Sequence, residues 1–292
     1  MKNKGVLVIN GFLDSAGFKE LYGLFLDASK KYSINLELKR NCDLLFDASS
    51  FKPLFSERPD FILFWDKDIR LAKQLEAAGF TLYNSAQSIE LCDDKSLTHI
   101  ELSKHGIPMP KTIISPMTFA NIGYTHTDFA DKICDELGLP IVVKECYGSF
   151  GQQVSLVQTK TELERLIKGK TVPMIFQEFI KTSFARDVRI YVVGGRVIAS
   201  MLRKNTDGDF RANVGNGGKV FPYEPSLKEK ELAVCVCEKL GLTFGGVDIL
   251  FGENDAPLLC EVNSNAHFKG ILDCTGVNAA DEIIKFISEK TV

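Results

Sequence analysis

The chain has 292 residues, of which 45% are hydrophobic and 25% are charged, and its formal net charge at pH 7 is −3. This composition is typical of a globular protein with enough apolar residues for two or three cores, and it excludes the basic surface that would bind nucleic acid or an anionic membrane. Because we find no apolar run of membrane-spanning length and no signal peptide, we expect a cytoplasmic protein without nucleic-acid or membrane partners.

Strand and helix patterns alternate over the first ninety or so residues. Short apolar runs typical of buried strands occur at 5–10, 34–38, 60–65 and 81–83. Between them, apolar residues recur with helical spacing at 18–32 and 69–78. This alternation predicts a small parallel α/β sheet, which we assign to a first domain at residues 1–93.

A second region begins near residue 94, where Asp93 or Asp94 can cap a helix at 95–104. It continues with strand patterns at 112–114 and 140–146 around a polar loop and a helix, and we assign it to residues 94–172. Strands dominate the third region, residues 173–292. There, the capping box Ser226-x-x-Glu229 opens one helix, and a last helix is expected at 279–289.

Lys144 ends an apolar strand and precedes a glycine-containing loop at 147–152. Glycines let backbone N–H groups approach a phosphate closely, and a neighbouring lysine adds positive charge. A second strand pattern follows at 154–157, so the loop would form a flap over a triphosphate rather than a P-loop. An ordinary hairpin with a glycine turn is the alternative.

The strand pattern at 174–180 carries two polar residues, Gln177 and Glu178. Its backbone could hydrogen-bond the edge of an adenine while apolar side chains contact the ring. An edge strand that exposes both polar side chains to solvent is the alternative.

A hairpin is predicted at 187–204, with Gly194-Gly195 as a two-residue turn. This register places Arg189 opposite Ser200, among β-branched residues, where a guanidinium needs an anion. The anion is either a ligand or, in a structural ion pair, Asp187 or Glu178. In the loop that follows, Arg211 could bridge transferring phosphoryl oxygens, or the loop could be a flexible solvent loop.

Near the C-terminus, a second hairpin carries Asp248 on one strand and Glu261 and Asn263 on the other. If Phe251 faces Leu258, then Asp248 faces Glu261, because strand side chains alternate with a period of two. Adjacent carboxylates repel each other unless a cation lies between them, and carboxylate and amide oxygens suit Mg²⁺. The alternative is a hairpin with polar residues on a solvent face.

In this order, the motifs resemble those of the ATP-grasp superfamily, and specifically of the RimK-like α-L-glutamate ligase family. The resemblance extends from about Cys92 to the C-terminus. It rests on these segments: 94–98, 143–144 with 148–151, 177–180, 187–189, 208–213, 246–248 and 261–263.

The resemblance implies an α/β (α+β) ATP-grasp fold, in which a Rossmann-like preATP-grasp domain precedes two subdomains that clamp ATP. It also implies ATP and two Mg²⁺ or Mn²⁺ ions as cofactors, and the following residue roles. Lys95, Lys144, Gly148, Ser149 and Gly151 contact the phosphates; Gln177, Glu178, Phe179 and Ile180 line the adenine pocket; Asp187 lies near the ribose, and Lys204 also belongs to the nucleotide site; Arg211 and Arg189 are catalytic; Asp248, Glu261 and Asn263 hold the metal ions.

By the same resemblance, we expect a ligase that joins a carboxylate to an amine through an acyl phosphate and releases ADP and phosphate. Its substrates would be an amino acid and a carboxylate on a small molecule, a peptide or a protein tail, and a homo-oligomer is expected by analogy. The segment 264–268 departs from the family pattern, so the added amino acid is left open.

A peptide-tailoring enzyme and a nucleotide-binding protein without turnover are the alternatives to this ligase. We expect Asp248→Ala or Glu261→Ala to abolish turnover and to leave the fold largely intact.

Overall fold

The computed structural model describes residues 3–148, 151–213 and 217–291, so the predicted nucleotide contact Ser149 lies outside the described residues. The first region forms a parallel sheet, as predicted, and its strand order is β2-β1-β5-β6. The elements of this region are β1 (Lys4–Ile9), α1 (Ala16–Lys31), β2 (Asn35–Arg40), β3 (Phe46–Asp47), β4 (Lys52–Pro53), β5 (Phe61–Trp65), α2 (Ile69–Ala77), β6 (Leu82–Tyr83) and α3 (Ala86–Asp93).

A second sheet has the order β7-β10-β8-β9 with antiparallel neighbours. Its elements are α4 (Lys95–Ser103), β7 (Thr112–Ile114), α5 (Phe129–Leu137), β8 (Ile141–Glu145), β9 (Val154–Val157), α6 (Lys160–Ile167) and β10 (Met174–Glu178). β10 lies inside this sheet, paired with both β7 and β8, although the sequence placed it in the third region. The division into three domains stays a prediction.

The third sheet is also antiparallel and has the order β13-β12-β11-β14-β15. Its region contains β11 (Arg186–Val193), β12 (Arg196–Lys204), β13 (Lys219–Pro222), α7 (Leu227–Lys239), β14 (Phe244–Phe251), β15 (Pro257–Asn263), α8 (Lys269–Thr275) and α9 (Ala279–Lys290). The predicted capping box opens α7, since Ser226 and Glu229 bond each other's backbone N–H groups. In the described residues, no helix is long and apolar enough to cross a membrane.

A β-bulge in the β11–β12 hairpin changes which side chains share a face. Val193 lies opposite Arg196, as predicted, but Tyr191 lies opposite Ala199, so Ile198 is an extra residue. Arg189 therefore lies opposite Met201, and the predicted partner Ser200 is wrong. A one-residue shift moves every following side chain to the other face of the sheet.

A second bulge lies in the β14–β15 hairpin. Phe251 pairs with Pro257 rather than with the predicted Leu258, and Cys260 is the extra residue. Beyond the bulge, Asp248 lies opposite Glu261. The predicted carboxylate pair therefore forms, although the register predicted at the turn was wrong.

The first and third regions share one hydrophobic core, in which β5 and α1 pack against β11 and β14. Trp65 is at its centre, stacked on Phe244 with ring centroids 5.6 Å apart and edge-to-face with Phe268 at 5.8 Å. Burying an aromatic side chain of this size contributes roughly 1.5–3 kcal/mol relative to leaving it exposed. The shared core therefore gives the third sheet a rigid support.

Asn84, which is 1% exposed, adds a polar contact between these two regions. Its Nδ2 donates to the carbonyl oxygens of Phe244 and Ser264, at 2.9 Å each. Its Oδ1 accepts from the backbone N–H groups of Thr243 at 2.8 Å and of Phe244 at 3.3 Å. The side chain thus satisfies backbone groups at the start of β14 and after the end of β15.

Asn84→Ala should lower the free energy of unfolding by about 2–4 kcal/mol, because it leaves buried backbone groups without partners. Urea denaturation would measure this loss. Asn121 is exposed, and Asn121→Ala serves as the control for replacing an asparagine. Equal losses in the two variants would contradict the bridging role of Asn84.

Candidate active site

An open cavity of about 740 Å³, including its mouth, lies between the second and third sheets. Most of the predicted site residues line it. They are Lys144, Gly151, Gln177, Glu178, Phe179, Ile180, Asp187, Arg211, Asp248 and Glu261.

A smaller space of about 220 Å³ adjoins this cavity, and Gly151 and Glu261 line both. Lys95 and Gly148 also line the smaller space, and Lys95 Nζ donates to the Gly148 carbonyl at 3.2 Å. Asp94 caps α4 by accepting from Ser96 N at 2.8 Å, which fixes Lys95 as the first residue of the helix. Three of the predicted phosphate contacts, Lys95, Gly148 and Gly151, therefore line one space.

The end of β10 and the two residues after it form one side of the cavity. Gln177 is 2% exposed, and its amide lies 2.9 Å from Thr112 Oγ1 and 3.0 Å from His99 Nε2. The Glu178 carboxylate accepts from the Lys111 N–H at 2.8 Å. These contacts exclude the alternative of an edge strand with an exposed Gln177, and they leave the following apolar residues, Phe179 and Ile180, facing the cavity.

Four charged side chains, of which three are buried and Arg189 is half-buried, form a network on the cavity side of the third sheet. Arg189 binds Asp248 through Nε and Nη2, both at 2.7 Å, and not the predicted Asp187 or Glu178. Arg203 binds Asp187 through Nε at 2.6 Å and Nη2 at 2.8 Å, and its Nη2 also lies 2.8 Å from Asp248 Oδ2. Arg203 therefore connects the two aspartates.

Charge decides the protonation of this network. Burial alone would raise the pKa of Asp248, but the guanidinium groups of Arg189 and Arg203 outweigh it and lower the pKa to about 2. Burial raises the pKa of Asp187, against the opposing effect of Arg203. The two aspartates hold the pKa of Arg203 well above its usual value despite burial. Asp248 is thus kept as an anion at neutral pH.

The carboxylate oxygens of Asp248 and Glu261 are chemically suited to bind a divalent metal ion. A carboxylate has about four lone-pair directions. At Asp248, the arginines occupy both lone-pair directions of Oδ2 and one of Oδ1. One lone-pair direction of Oδ1 therefore remains for a metal ion. Glu261 lies opposite Asp248, its side chain is 28% exposed, and its Oε1 is 4.0 Å from Lys95 Nζ. Carboxylate oxygens of this kind suit Mg²⁺.

Asn263 lies opposite Gly246 and does not line the cavity. Across the described residues, no group of three or more His, Cys, Asp or Glu side chains is arranged around a metal position. The chemical fit to a divalent metal ion therefore rests on Asp248 and Glu261, and Asn263 stays a predicted ligand.

The structure does not bring Lys204 into the cavity. The bulge at Ile198 turns the exposed Lys204 to the outer face of the sheet and turns Arg203, which is 3% exposed, to the cavity face. An unbulged hairpin would have done the reverse. For this reason Arg203 was not predicted from the sequence, and the geometry does not support the predicted role of Lys204.

Lys144 and Arg211 each contact a group that the sequence analysis did not identify. Lys144 is 7% exposed, and its Nζ lies 3.8 Å from the thiol of Cys260, the bulge residue. Burial raises the pKa of this thiol to about 11, although Lys144 opposes the shift. Arg211 is bound by Asp209 and donates from Nη1 to the Gly151 carbonyl at 2.7 Å. Local contacts of this kind depend on loop conformation, which sequence patterns do not specify.

The fold is that of ATP-grasp proteins. The crystal structure of an ATP-grasp RimK domain protein from Sphaerobacter thermophilus matches with a TM-score of 0.73, over 97% of this chain and 98% of that chain. The sequences are 19% identical, so this likeness shows the fold alone. It confirms the predicted fold class.

The family follows from the sequence comparisons. Residues 92–287 match the model of the RimK-like ATP-grasp domain. The chain is 40% identical to human N-acetylaspartylglutamate synthase A over 208 residues, 70% of this chain and 51% of that protein. It is 36% identical to a probable alpha-L-glutamate ligase of Syntrophotalea carbinolica over 224 residues, 76% of this chain and 71% of that protein. The chain belongs to the RimK-like ATP-grasp family, as predicted.

The ion network changes the prediction for one substitution. Asp248→Ala should lower the free energy of unfolding by about 3–5 kcal/mol, because Arg189 loses its two hydrogen bonds to Asp248 and the buried Arg203 loses one of its two carboxylate partners. Glu261→Ala should cost less than about 1 kcal/mol, because that side chain is partly exposed. Of the two variants, Asp248→Ala is therefore expected to disturb the fold more. Urea denaturation without nucleotide checks the difference, and equal losses would contradict it.

His99 should make stability depend on pH. Burial, with a contribution from Lys144, lowers the pKa of His99 from 6.5 to about 4. In the unfolded chain, His99 therefore binds a proton as the pH falls through its ordinary pKa of 6.5. In the folded protein, His99 binds that proton only near pH 4. Stability should fall across this window by up to about 3 kcal/mol.

The His99→Gln variant separates this titration from packing. The wild-type protein should lose more stability than the variant between about pH 7.5 and about pH 4.5. The difference between the two proteins at the higher pH reports the packing change alone. Parallel pH profiles of the unfolding free energy would contradict the prediction.

Proposed function

We propose that the chain is an ATP-dependent carboxylate–amine ligase that forms an amide through an acyl phosphate. The observation that carries the proposal is the convergence of positive and negative groups on one open cavity between the second and third sheets. Lys144, Arg203 and Arg211 line the main cavity with Asp248 and Glu261, and Lys95 lies in the space beside it. Such a site neutralises a polyphosphate and its metal ions.

The reaction has two steps. A substrate carboxylate oxygen attacks the γ-phosphorus of ATP; an oxygen–phosphorus bond forms, and the bond from the γ-phosphorus to the β–γ bridging oxygen breaks and releases ADP. An amine nitrogen then attacks the acyl carbon, the carbon–oxygen bond to phosphate breaks, and the nitrogen loses a proton. We assign no general base. The protein contributes mainly by positioning the reactants and neutralising charge.

We assign the phosphates to Lys95, Lys144, the flap glycines 148 and 151, and Arg211. The adenine would bind at residues 177–180, where the apolar side chains of Phe179 and Ile180 face the cavity. Asp187 stays assigned to the ribose side of the cavity, and Arg189 to the catalytic set through its bond to Asp248. Two Mg²⁺ or Mn²⁺ ions, held by Asp248, Glu261 and Asn263, would offset charge that develops on the phosphoryl oxygens.

The amine substrate is proposed to be an amino acid, with L-glutamate as the first candidate. Both relatives named above carry glutamate in their names. The chain spans about half the length of the human relative, so the whole activity, including its carboxylate substrate, is a proposal. A small molecule, a peptide or a protein tail could supply the carboxylate. The cytoplasmic location and a homo-oligomeric state stay predictions.

Incubation of the protein with ATP, Mg²⁺ and a matrix of carboxylates and amino acids tests the proposal. ADP should appear only when both substrates are present, and the product mass should equal their sum minus one water. Glu261→Gln should reduce ADP release by about a hundredfold or more, because a carboxylate proposed to hold the phosphate-neutralising metal ions is lost. Glu253→Gln, at the exposed turn of the same hairpin, should retain activity and is the matched control.

Calorimetry with ATP separates binding from turnover. If ATP binds while no carboxylate–amine pair stimulates ADP release, the ligase proposal fails and a nucleotide-binding role remains. A product that forms only with a peptide carboxylate or side chain would identify a peptide-tailoring enzyme.

A further inference from the structure

The Asp209 carboxylate holds one edge of the Arg211 guanidinium. Asp209 Oδ1 accepts from Arg211 Nε at 3.0 Å, and Oδ2 accepts from Nη2 at 2.6 Å. Oδ1 also accepts from the backbone N–H of Arg211 at 2.8 Å. The side chain and the backbone of Arg211 are therefore fixed by the same carboxylate.

The other end of this guanidinium points toward the flap. Nη1 donates to the Gly151 carbonyl at 2.7 Å. A guanidinium has five N–H groups, and the contacts described here use three of them. The two N–H groups that these contacts do not use belong to Nη1 and Nη2, and they are available to donate to an oxyanion in the cavity.

Asp209 itself does not line the cavity, whereas its neighbours Phe210 and Arg211 do. Phe210 packs edge-to-face against Phe179 with ring centroids 6.3 Å apart, and its carbonyl accepts from Ala185 N at 3.0 Å. These contacts anchor the loop at Phe210. Asp209 is thus placed behind Arg211, where it can act on a ligand only through the arginine.

We propose that Asp209 is the positioning residue for Arg211 and directs this guanidinium at the terminal phosphate of the nucleotide. This inference rests on the proposed function, in which Arg211 approaches the γ-phosphate. Without Asp209, the flexible Arg211 side chain would keep its positive charge but would no longer be held in a fixed orientation toward the phosphate. The loss should therefore appear with a triphosphate and not with a diphosphate.

Calorimetry in Mg²⁺ with ADP and with a non-hydrolysable ATP analogue tests this role. Asp209→Ala should weaken binding of the analogue by about tenfold, the effect of one charge-assisted hydrogen bond. It should change ADP binding by less than about twofold, because ADP lacks the phosphate that Arg211 contacts. Asp209→Asn keeps one oxygen acceptor for Nε and the backbone N–H, so its loss should be intermediate.

Asp207 provides the matched control, because it is an exposed aspartate of the same loop and none of the contacts of Arg211 described here involve it. Asp207→Asn should bind both nucleotides as the wild type does. A purely structural role of Asp209 predicts another result, namely equal weakening of ADP and of the analogue together with a lower unfolding midpoint. That result would overturn the proposal, as would unchanged binding of both nucleotides by Asp209→Ala.

Two further measurements separate this inference from the ligase proposal. Arg211→Ala should show the same selective loss for the analogue, and if it binds both nucleotides normally, the positioning role of Asp209 fails. If the wild-type protein joins no carboxylate to any amine, the ligase proposal fails, while the binding data still decide the role of Asp209. Where turnover is found, Asp209→Ala should lower kcat at least about tenfold with little change in KM for the carboxylate.

Discussion

The contact of Arg203 with two buried aspartates is the interaction on which the rest of the site depends. Its guanidinium binds Asp187 and reaches Asp248, which Arg189 binds from the other side. Two positive and two negative charges make the network neutral, and neutrality is what allows it to lie in a sheet with little access to water. Buried ion pairs of this kind add little net stability compared with apolar residues. Their effect here is to keep Asp248 ionised and to fix its direction beside Glu261.

The cationic groups around the cavity all have internal partners in the folded chain. Lys95 donates to a flap carbonyl, Arg211 is shared between Asp209 and the flap, and Lys144 lies beside a thiol. Neutral carbonyl and thiol partners bind a cation less strongly than a phosphate does. A nucleotide can therefore replace these contacts without breaking the aspartate–arginine network, so the site can bind a polyanion while its supporting wall stays unchanged.

Sequence reasoning identified most elements and the order of the motifs, because apolar periodicity and turn residues are local signals. It placed Asp248 opposite Glu261 from a hairpin register that was wrong at the turn, and the extra residue Cys260 restored the pairing. The bulge at Ile198 made the prediction wrong in the other hairpin, because it places Arg203 rather than Lys204 on the cavity face of β12. A bulge changes the face of every following residue, yet it is set by packing on both sides of a strand rather than by a sequence motif. Contacts that depend on loop conformation, such as that of Asp209 with Arg211, could not be predicted either, because no sequence motif specifies them.

The second and third sheets form the two walls of the cavity. Among the residues described, only the wall formed by the third sheet is supported by the core that the first and third regions share. The third sheet is fixed through Trp65 and Asn84, whereas the second sheet supplies the flap and Lys144. Phe179 and Ile180 lead from β10 toward β11, so the proposed adenine segment is also the connection between the walls. A ligand that contacts both walls stabilises their arrangement by its own binding free energy.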